Sequence, residues 1–119
     1  MNERRLLLIE DDPDTVQIVK FLLEAEGWSV CHLSQGRRAV EAAKDFLPDV
    51  LLLDGHLPDM TGQEVLQNLA SCPQTTSIPV VAFTASDALS GPQVVGVITK
   101  PVHPLDFASD LNTLLERSI

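Results

Sequence analysis

The sequence predicts an α/β protein with a single doubly wound sheet of five parallel strands and helices on both faces. Two observations lead to this prediction. Short, continuous apolar runs recur along the chain, which is typical of strands buried on both faces. Segments with a helical spacing of apolar residues separate these runs, and such alternation of strand and helix is the pattern of a parallel sheet. Right-handed crossovers then favour the strand order 2-1-3-4-5.

The elements follow one another in a regular order. The predicted strands are residues 5–9, 28–33, 50–54, 80–83 and 94–99. The predicted helices are residues 14–26, 35–47 and, less sharply bounded, 63–70 and 104–117. Pro13 suits the first turn of a helix whose N-cap is Asp12. Helical spacing places Ile18, Leu47 and Leu105 among the inward-facing apolar residues.

Length, charge and cysteine content narrow the functional classes. The chain of 119 residues suffices for one domain, and we assign residues 1–119 to it. No apolar run is long enough to span a membrane, and residues 1–5 do not begin a secretory signal, so we expect a cytoplasmic protein. The net charge of −9 disfavours direct contact with nucleic acid or with a membrane surface. Cys31 and Cys72 lack metal-ligand spacing and are expected to be reduced thiols.

Acidic side chains end two of the predicted strands. Asp54 follows the apolar run at residues 50–53, and Glu10 and Asp11 follow the first strand. The carboxyl ends of strands one and three lie side by side in the predicted order, so we expect these three carboxylates to meet there. A hard divalent cation would relieve their mutual repulsion, and a few oxygen ligands with retained waters favour Mg²⁺.

We predict that Asp11 and Asp54 bind this ion directly. The backbone carbonyl of His56 is expected to be a third ligand, and Glu10 is expected to act through water. The alternative is that Glu10, Asp11 and Asp12 only cap the first helix.

Thr84 and Lys100 end the fourth and fifth predicted strands at the same edge of the sheet. Alone, such a threonine is usually a cap and such a lysine is usually solvated. Beside a metal, however, a hydroxyl donor and a cation suit a phosphoryl group, whose equatorial oxygens they neutralise. Asp54 is then the nucleophile and forms an acyl phosphate by in-line attack.

These positions together resemble the signature of the receiver domain of two-component response regulators, the CheY-like superfamily. The matching residues are Glu10, Asp11, Asp54, Thr84, Lys100 and Pro101. Residues 53–62 are similar to the family's phosphoacceptor loop, and the likeness extends over residues 6–115. The flavodoxin-like strand order 2-1-3-4-5 is itself known from this family, so it is expected from the resemblance and is no independent result.

The resemblance implies a signalling module rather than an enzyme that turns over a substrate of its own. Its expected partners are a sensor histidine kinase or a histidine phosphotransfer protein, which would supply the phosphoryl group to Asp54, and a downstream effector protein or domain. Slow hydrolysis of the acyl phosphate by the same site is also implied, with His56 and Ser86 flanking the path of the attacking water. Whether the chain is a stand-alone regulator or a receiver from a longer protein is left open.

Two features depart from the family pattern. The interval between Thr84 and Lys100 is about six residues shorter than is usual, roughly a turn and a half of helix. The fourth helix, between the fourth and fifth strands, is therefore expected to be shortened or absent. Val97 occupies the family's aromatic switch position and has no ring to swing inward. We therefore hypothesise that signalling uses another surface, or that phosphate is relayed without a large conformational switch.

The rival functions differ in what their sites require. A phosphatase of the haloacid dehalogenase type needs a second aspartate two residues after the nucleophile, where this chain has His56. A flavodoxin needs a phosphate-cradling loop after the first strand, and the acids at residues 10–12 oppose an FMN phosphate. A phosphorylation-independent interaction scaffold on the same fold is the main alternative. Transition-metal binding by His56 is disfavoured because neither His32 nor His103 is predicted beside it.

Overall fold

A computed structural model describes residues 4–85 and 89–117, which form a five-stranded sheet with helices on both faces. The strands are β1 Arg4–Ile9, β2 Trp28–Leu33, β3 Val50–Leu53, β4 Val80–Thr84 and β5 Val94–Thr99. The helices are α1 Pro13–Glu24, α2 Ala39–Phe46, α3 Gly62–Ala70 and α4 Phe107–Arg117, and a 3-10 turn over Gly36–Arg38 directly precedes α2. All strand pairs are parallel, and their order β2-β1-β3-β4-β5 confirms the predicted fold class.

The register of the central strands brings their carboxyl ends to one edge of the sheet. Ile9 lies opposite Leu53 in the pairing of β1 with β3, and Thr84 lies opposite Thr99 in the pairing of β4 with β5. Since all strands run the same way, the residues that follow them emerge on the same side. We call this side the carboxyl edge.

Side chains that alternate along each strand divide the core into two layers. Leu8, Leu52 and Phe83 point into the layer covered by α1 and α4. Leu7 and Leu53 point into the layer covered by α2 and α3. Every residue of β3 is completely buried, which explains its continuous apolar sequence.

Polar caps fix where two helices leave the carboxyl edge. The Asp12 carboxylate accepts a hydrogen bond from the Thr15 N–H at 3.1 Å, which confirms Asp12 as the N-cap of α1. Thr61 and Glu64 form a capping box at the start of α3, each side chain accepting from the other's backbone N–H. None of the described helices is long and apolar enough to cross a membrane.

Three predictions of inward-facing side chains are wrong. Leu105 is 96% exposed, because α4 begins only at Phe107 and Leu105 lies in the turn before it. Leu47 is 66% exposed, because it ends α2 in the left-handed conformation with φ of 54° and so leaves the helical face. Ile18 is also exposed; Val16 and Val19 occupy the buried face of α1, and Ile18 lies about 200° around the helix from Val16.

The connection between β4 and β5 contains no helix among its described residues, 85 and 89–93, in agreement with the prediction; residues 86–88 lie outside the description. We call residues 89–93 the connecting segment. Leu89 in this segment is buried against α3. The Gln63 side chain of α3 pairs with the Ser90 backbone, donating to its carbonyl at 2.8 Å and accepting from its N–H at 3.1 Å.

A second glutamine holds the other end of the connecting segment. Gln93 is buried, and its side-chain amide donates to the carbonyl oxygens of Thr75 and Ile78, both at 2.9 Å. The segment is thus tied to α3 at one end and to the α3–β4 connection at the other. Side-chain amides thus join the segment to its surroundings: Gln63 pairs with the Ser90 backbone, and Gln93 satisfies two carbonyls of the α3–β4 connection.

The corrected position of Leu105 predicts a large contrast in stability between two leucine truncations. We expect Leu111→Ala to lower the free energy of unfolding by about 2–5 kcal/mol, because Leu111 is completely buried between α4 and the sheet. Leu105→Ala serves as the control and should cost less than about 0.5 kcal/mol. Urea denaturation followed by circular dichroism measures both. Equal losses would contradict the exposed position of Leu105.

Candidate functional site

Three carboxylates meet at the carboxyl edge between β1 and β3. Glu10 is only 1% exposed and Asp54 only 7% exposed, whereas Asp11 lies in solvent. One carboxylate oxygen from each of the three residues lies within 4.8 Å of the others. The structure therefore brings together the acids that the sequence placed at two separate strand ends.

Lys100 supplies the positive charge at this cluster. Its Nζ lies 2.5 Å from Glu10 Oε1 and 3.4 Å from Asp54 Oδ2. The ammonium also lies 5.0 Å from the centroid of the Phe83 ring, which is buried in the sheet. The Lys100 N–H donates to the Thr84 carbonyl at 3.1 Å, so the ends of β4 and β5 reach the site as one unit.

Burial raises the pKa of the Glu10 carboxyl above its ordinary value of 4.5. The ion pair with Lys100 and the hydrogen bond that Glu10 Oε2 accepts from the Asp12 N–H at 3.1 Å act in the opposite direction. The nearby Asp54 carboxylate raises the Glu10 pKa further. The carboxylates of the cluster therefore repel one another, and a bound cation would reduce this repulsion.

Backbone hydrogen bonds shape the β3–α3 loop around Asp54. The Gly62 N–H donates to the Gly55 carbonyl at 2.8 Å, and His56 and Thr61 form an isolated antiparallel bridge. A Cβ atom on Gly62 would lie 2.5 Å from the Asp54 carbonyl oxygen, so only glycine permits this approach. The His56 N–H donates to Asp54 Oδ1 at 3.3 Å, which orients the carboxylate.

A carboxylate in the same loop ties it to the start of α2. Both oxygens of Asp59 accept backbone hydrogen bonds at 2.9 Å, one from Gly36 and one from Arg37. Gly36 permits this contact, since a Cβ there would lie 2.6 Å from Val65 and 2.7 Å from Met60. The loop is therefore anchored at a point remote from Asp54.

His32 is a residue of this edge that sequence reasoning missed. Its Nε2 lies 2.7 Å from the Glu10 carbonyl oxygen. The only sequence signal was its position near the carboxyl end of β2, next to the strand that carries Glu10. His103 is exposed and precedes α4.

Most of the predicted site residues lie together at the carboxyl edge. Glu10, Asp11, Asp54 and Lys100 share one cluster, and Thr84 is buried beside it through its backbone contact with Lys100. The ligand role of the His56 carbonyl remains a prediction. Ser86 lies outside the described residues.

Val97, at the expected switch position, pairs with Ala82 of β4 and is 49% exposed. Among the described residues, no helix lies between β4 and β5 to cover this part of the sheet.

Comparison with known families identifies the class of domain. Residues 6–112 match the family model described as the response regulator receiver domain. The chain belongs to this family. Membership confirms the resemblance seen in the sequence and argues against the haloacid dehalogenase and flavodoxin alternatives.

Curated relatives include transcriptional regulators of about twice the length. The probable transcriptional regulatory protein TcrX of Mycobacterium tuberculosis is 33% identical over 120 residues, which cover 95% of this chain and 50% of TcrX. The cell cycle transcriptional regulator CtrA of Caulobacter vibrioides is 31% identical over 118 residues, which cover 96% of this chain and 51% of CtrA. The chain thus spans about half the length of these relatives.

Solved structures share the fold over nearly the whole chain. The signal receiver domain of a histidine kinase from Syntrophus aciditrophicus has a TM-score of 0.79 and 29% identity, and the match covers 96% of this chain and 91% of that one. The receiver domain of sensor histidine kinase PA1611 from Pseudomonas aeruginosa has a TM-score of 0.81 and 24% identity, with 98% and 97% covered. That structure has a magnesium ion coordinated in its active site cleft.

The raised pKa of Glu10 predicts how pH acts on the metal-free protein. Between 4.5 and the raised folded-state pKa, the folded chain binds more protons than the unfolded chain. The contribution of Glu10 to stability is therefore fully present below pH 4.5 and is lost as pH rises through the folded-state pKa. Glu10→Gln has no titrating carboxyl group at this position and therefore lacks this pH-dependent contribution to stability.

The measurement is the free energy of unfolding in urea with a chelator present, at a series of pH values, for both proteins. We expect the stability of the wild type minus that of Glu10→Gln to fall as pH rises. The other acids are common to both proteins and largely cancel in this difference. A difference that stays constant or rises with pH would contradict the raised pKa.

Proposed function

We propose that this chain, residues 1–119, is a cytoplasmic receiver module that accepts a phosphoryl group on Asp54 in a Mg²⁺-dependent reaction. The donor would be a sensor histidine kinase or a histidine phosphotransfer protein, and the recipient of the signal a downstream effector protein or domain. The observation that carries the proposal is the position of Lys100 Nζ, 3.4 Å from Asp54 Oδ2, beside three clustered carboxylates. Family membership supports the same function.

Asp54 suits the role of phosphoacceptor. Its carboxylate oxygen would form a bond to phosphorus while the bond from phosphorus to the donor's imidazole nitrogen breaks. With the other ring nitrogen of the donor protonated, a neutral histidine is left on the partner and an acyl phosphate on Asp54. The N–H of His56 orients the carboxylate for attack. Lys100 would contact an oxygen of the transferred group, and the Thr84 hydroxyl would contact another.

The donor set at the carboxyl edge fits Mg²⁺. Asp11 and Asp54 offer carboxylate oxygens to one point, and the His56 carbonyl is the proposed third protein ligand. Glu10 Oε1 already faces Lys100, which favours a role through water rather than direct binding. Bound Mg²⁺ would neutralise charge on the phosphoryl oxygens. The magnesium in the PA1611 receiver domain is consistent with this proposal.

The same residues would account for slow loss of the phosphoryl group. Water attack on the acyl phosphate would regenerate the Asp54 carboxylate and release inorganic phosphate. His56 is exposed two residues after Asp54 and would border the path of that water. We expect no turnover of an independent substrate.

Phosphorylation of Asp54 is tested by incubating the protein with acetyl phosphate and Mg²⁺ and measuring intact mass. We expect a gain of one phosphoryl group, with acetate as the leaving group. The gain should vanish in Asp54→Asn and in a Mg²⁺-free sample. Asp45→Asn, an exposed aspartate on α2, is the matched control and should be modified like the wild type. No gain under any condition would favour the phosphorylation-independent scaffold.

We further propose that the connecting segment does not act as a large conformational switch. Its ends are held by the Gln63–Ser90 pair and by the buried amide of Gln93. Val97 has no aromatic ring to move inward beside Thr84. The output would therefore use another surface, or the domain would relay phosphate without a large rearrangement.

Amide hydrogen exchange with and without a phosphoryl mimic such as beryllium fluoride tests this output hypothesis. We expect residues around Asp54 to gain protection and the segment from residue 89 to residue 97 to change little. Gln63→Ala should raise exchange at Ser90 in both states and so shows that the measurement is sensitive there. Strong protection changes across residues 86–97 of the wild type would count against the hypothesis.

A further inference from the structure

We propose that His32 is a positioning residue that holds the peptide between Glu10 and Asp11 and thereby prepares the carboxylates for a divalent cation. The inference rests on the proposed function and adds a residue that the predicted site does not contain. It follows from the hydrogen bond between His32 Nε2 and the Glu10 carbonyl oxygen, at 2.7 Å.

This side-chain hydrogen bond takes the place of a backbone hydrogen bond between the ends of β1 and β2. β1 and β2 pair in register from Arg4 to Ile9, with Leu8 opposite His32. The Glu10 N–H donates to the Leu33 carbonyl at 3.0 Å, and β2 ends at that residue. The Glu10 carbonyl therefore lies beyond the last strand residue of β2, and the imidazole of His32 reaches forward to satisfy it.

The direction of this hydrogen bond is fixed by its acceptor. A carbonyl oxygen only accepts, so Nε2 must carry the proton. Both the neutral Nε2–H tautomer and the imidazolium ion can donate in this way. The positioning role consequently needs a donor at the place of Nε2 and no particular charge.

The position of Asp11 depends on this peptide. Glu10 is buried and is further held by Lys100 and by the Asp12 N–H. Asp11 is exposed, and the direction in which its side chain leaves the chain, along the Cα–Cβ bond, is set by its backbone. With the Glu10 N–H and carbonyl both bound to β2, the peptide that enters Asp11 has one orientation. Removing a hydrogen bond to a metal ligand itself commonly changes metal affinity about 10–100-fold. The His32 bond holds the peptide just before the proposed ligand Asp11, so we expect an effect at the lower end of that range.

The test compares Mg²⁺ affinities by isothermal titration calorimetry. We expect His32→Phe, which keeps the ring and removes the donor, to raise the Kd about 10-fold. His32→Gln places an amide nitrogen where Nε2 lies and should restore the Kd to within about threefold of the wild type. His103→Phe is the matched control at an exposed histidine and should bind like the wild type. Thermal unfolding of each metal-free variant separates a loss of stability from a loss of affinity.

Several outcomes would overturn the inference. One is a wild-type Kd in His32→Phe, whether or not its melting temperature falls. Another is equal weakening in His32→Phe and His32→Gln, which would show that the donor is not what matters. If His32→Phe does not fold, the protonation of His32 Nε2 in the wild type is measured by long-range ¹H–¹⁵N spectra. A protonated Nε2 supports the inference, and an unprotonated Nε2 overturns it. A wild type that binds no Mg²⁺ would overturn the proposed metal site itself, and the inference would fall with it.

Discussion

The ion pair of Lys100 with Glu10 and Asp54 is the interaction on which the rest of the site depends. Two nearly buried carboxylates at the end of a parallel sheet repel each other and lose their hydration. The ammonium of Lys100 offsets part of this cost by lying between them, 2.5 Å from one and 3.4 Å from the other. Burial nevertheless raises the Glu10 pKa, and one ammonium does not balance the three carboxylates of the cluster. An edge with unbalanced negative charge and oxygen donors is suited to a cation and then to a phosphoryl group.

The apolar core and the backbone hydrogen bonds of the fold also support the position of this charged cluster. Its position follows from β1 and β3, whose side chains fill both core layers, and from backbone hydrogen bonds in the β3–α3 loop. Asp59 and Gly62 fix that loop at two further points. This support comes from residues outside the cluster of Glu10, Asp11, Asp54 and Lys100.

The described residues of the connection between β4 and β5, 85 and 89–93, form no helix and are held by packing and by side-chain amides. A Cβ atom on Gly62 would lie 3.1 Å from the Leu89 side chain, so the connecting segment packs against the start of α3, directly after the loop that follows Asp54. Gln63 pairs with the Ser90 backbone, and Gln93 donates to backbone carbonyls of the α3–β4 connection. The two glutamines restrain how far the segment can move. Val97 stays partly exposed on the neighbouring strand.

The fold and most of the site could be predicted because they depend on local pattern and on chain topology. Continuous apolar runs mark the buried strands, and the parallel order places Glu10, Asp11, Asp54 and Lys100 at one edge. Boundary details were harder: Leu105 and Leu47 have the right spacing, but the start of one helix and the left-handed end of another turn them outward.

The sequence by itself determined the alternation of strands and helices, the identity of the clustered acids and the short interval before β5, while the strand order was expected from the family resemblance as well. Only the tertiary structure decided that Lys100 contacts Glu10 as well as Asp54, that Gln63 holds Ser90, and that His32 reaches Glu10. These contacts join residues far apart in the chain through side chains of particular length and direction. Periodicity reports which face of an element is buried, but it carries no information about which distant atom a polar side chain will meet.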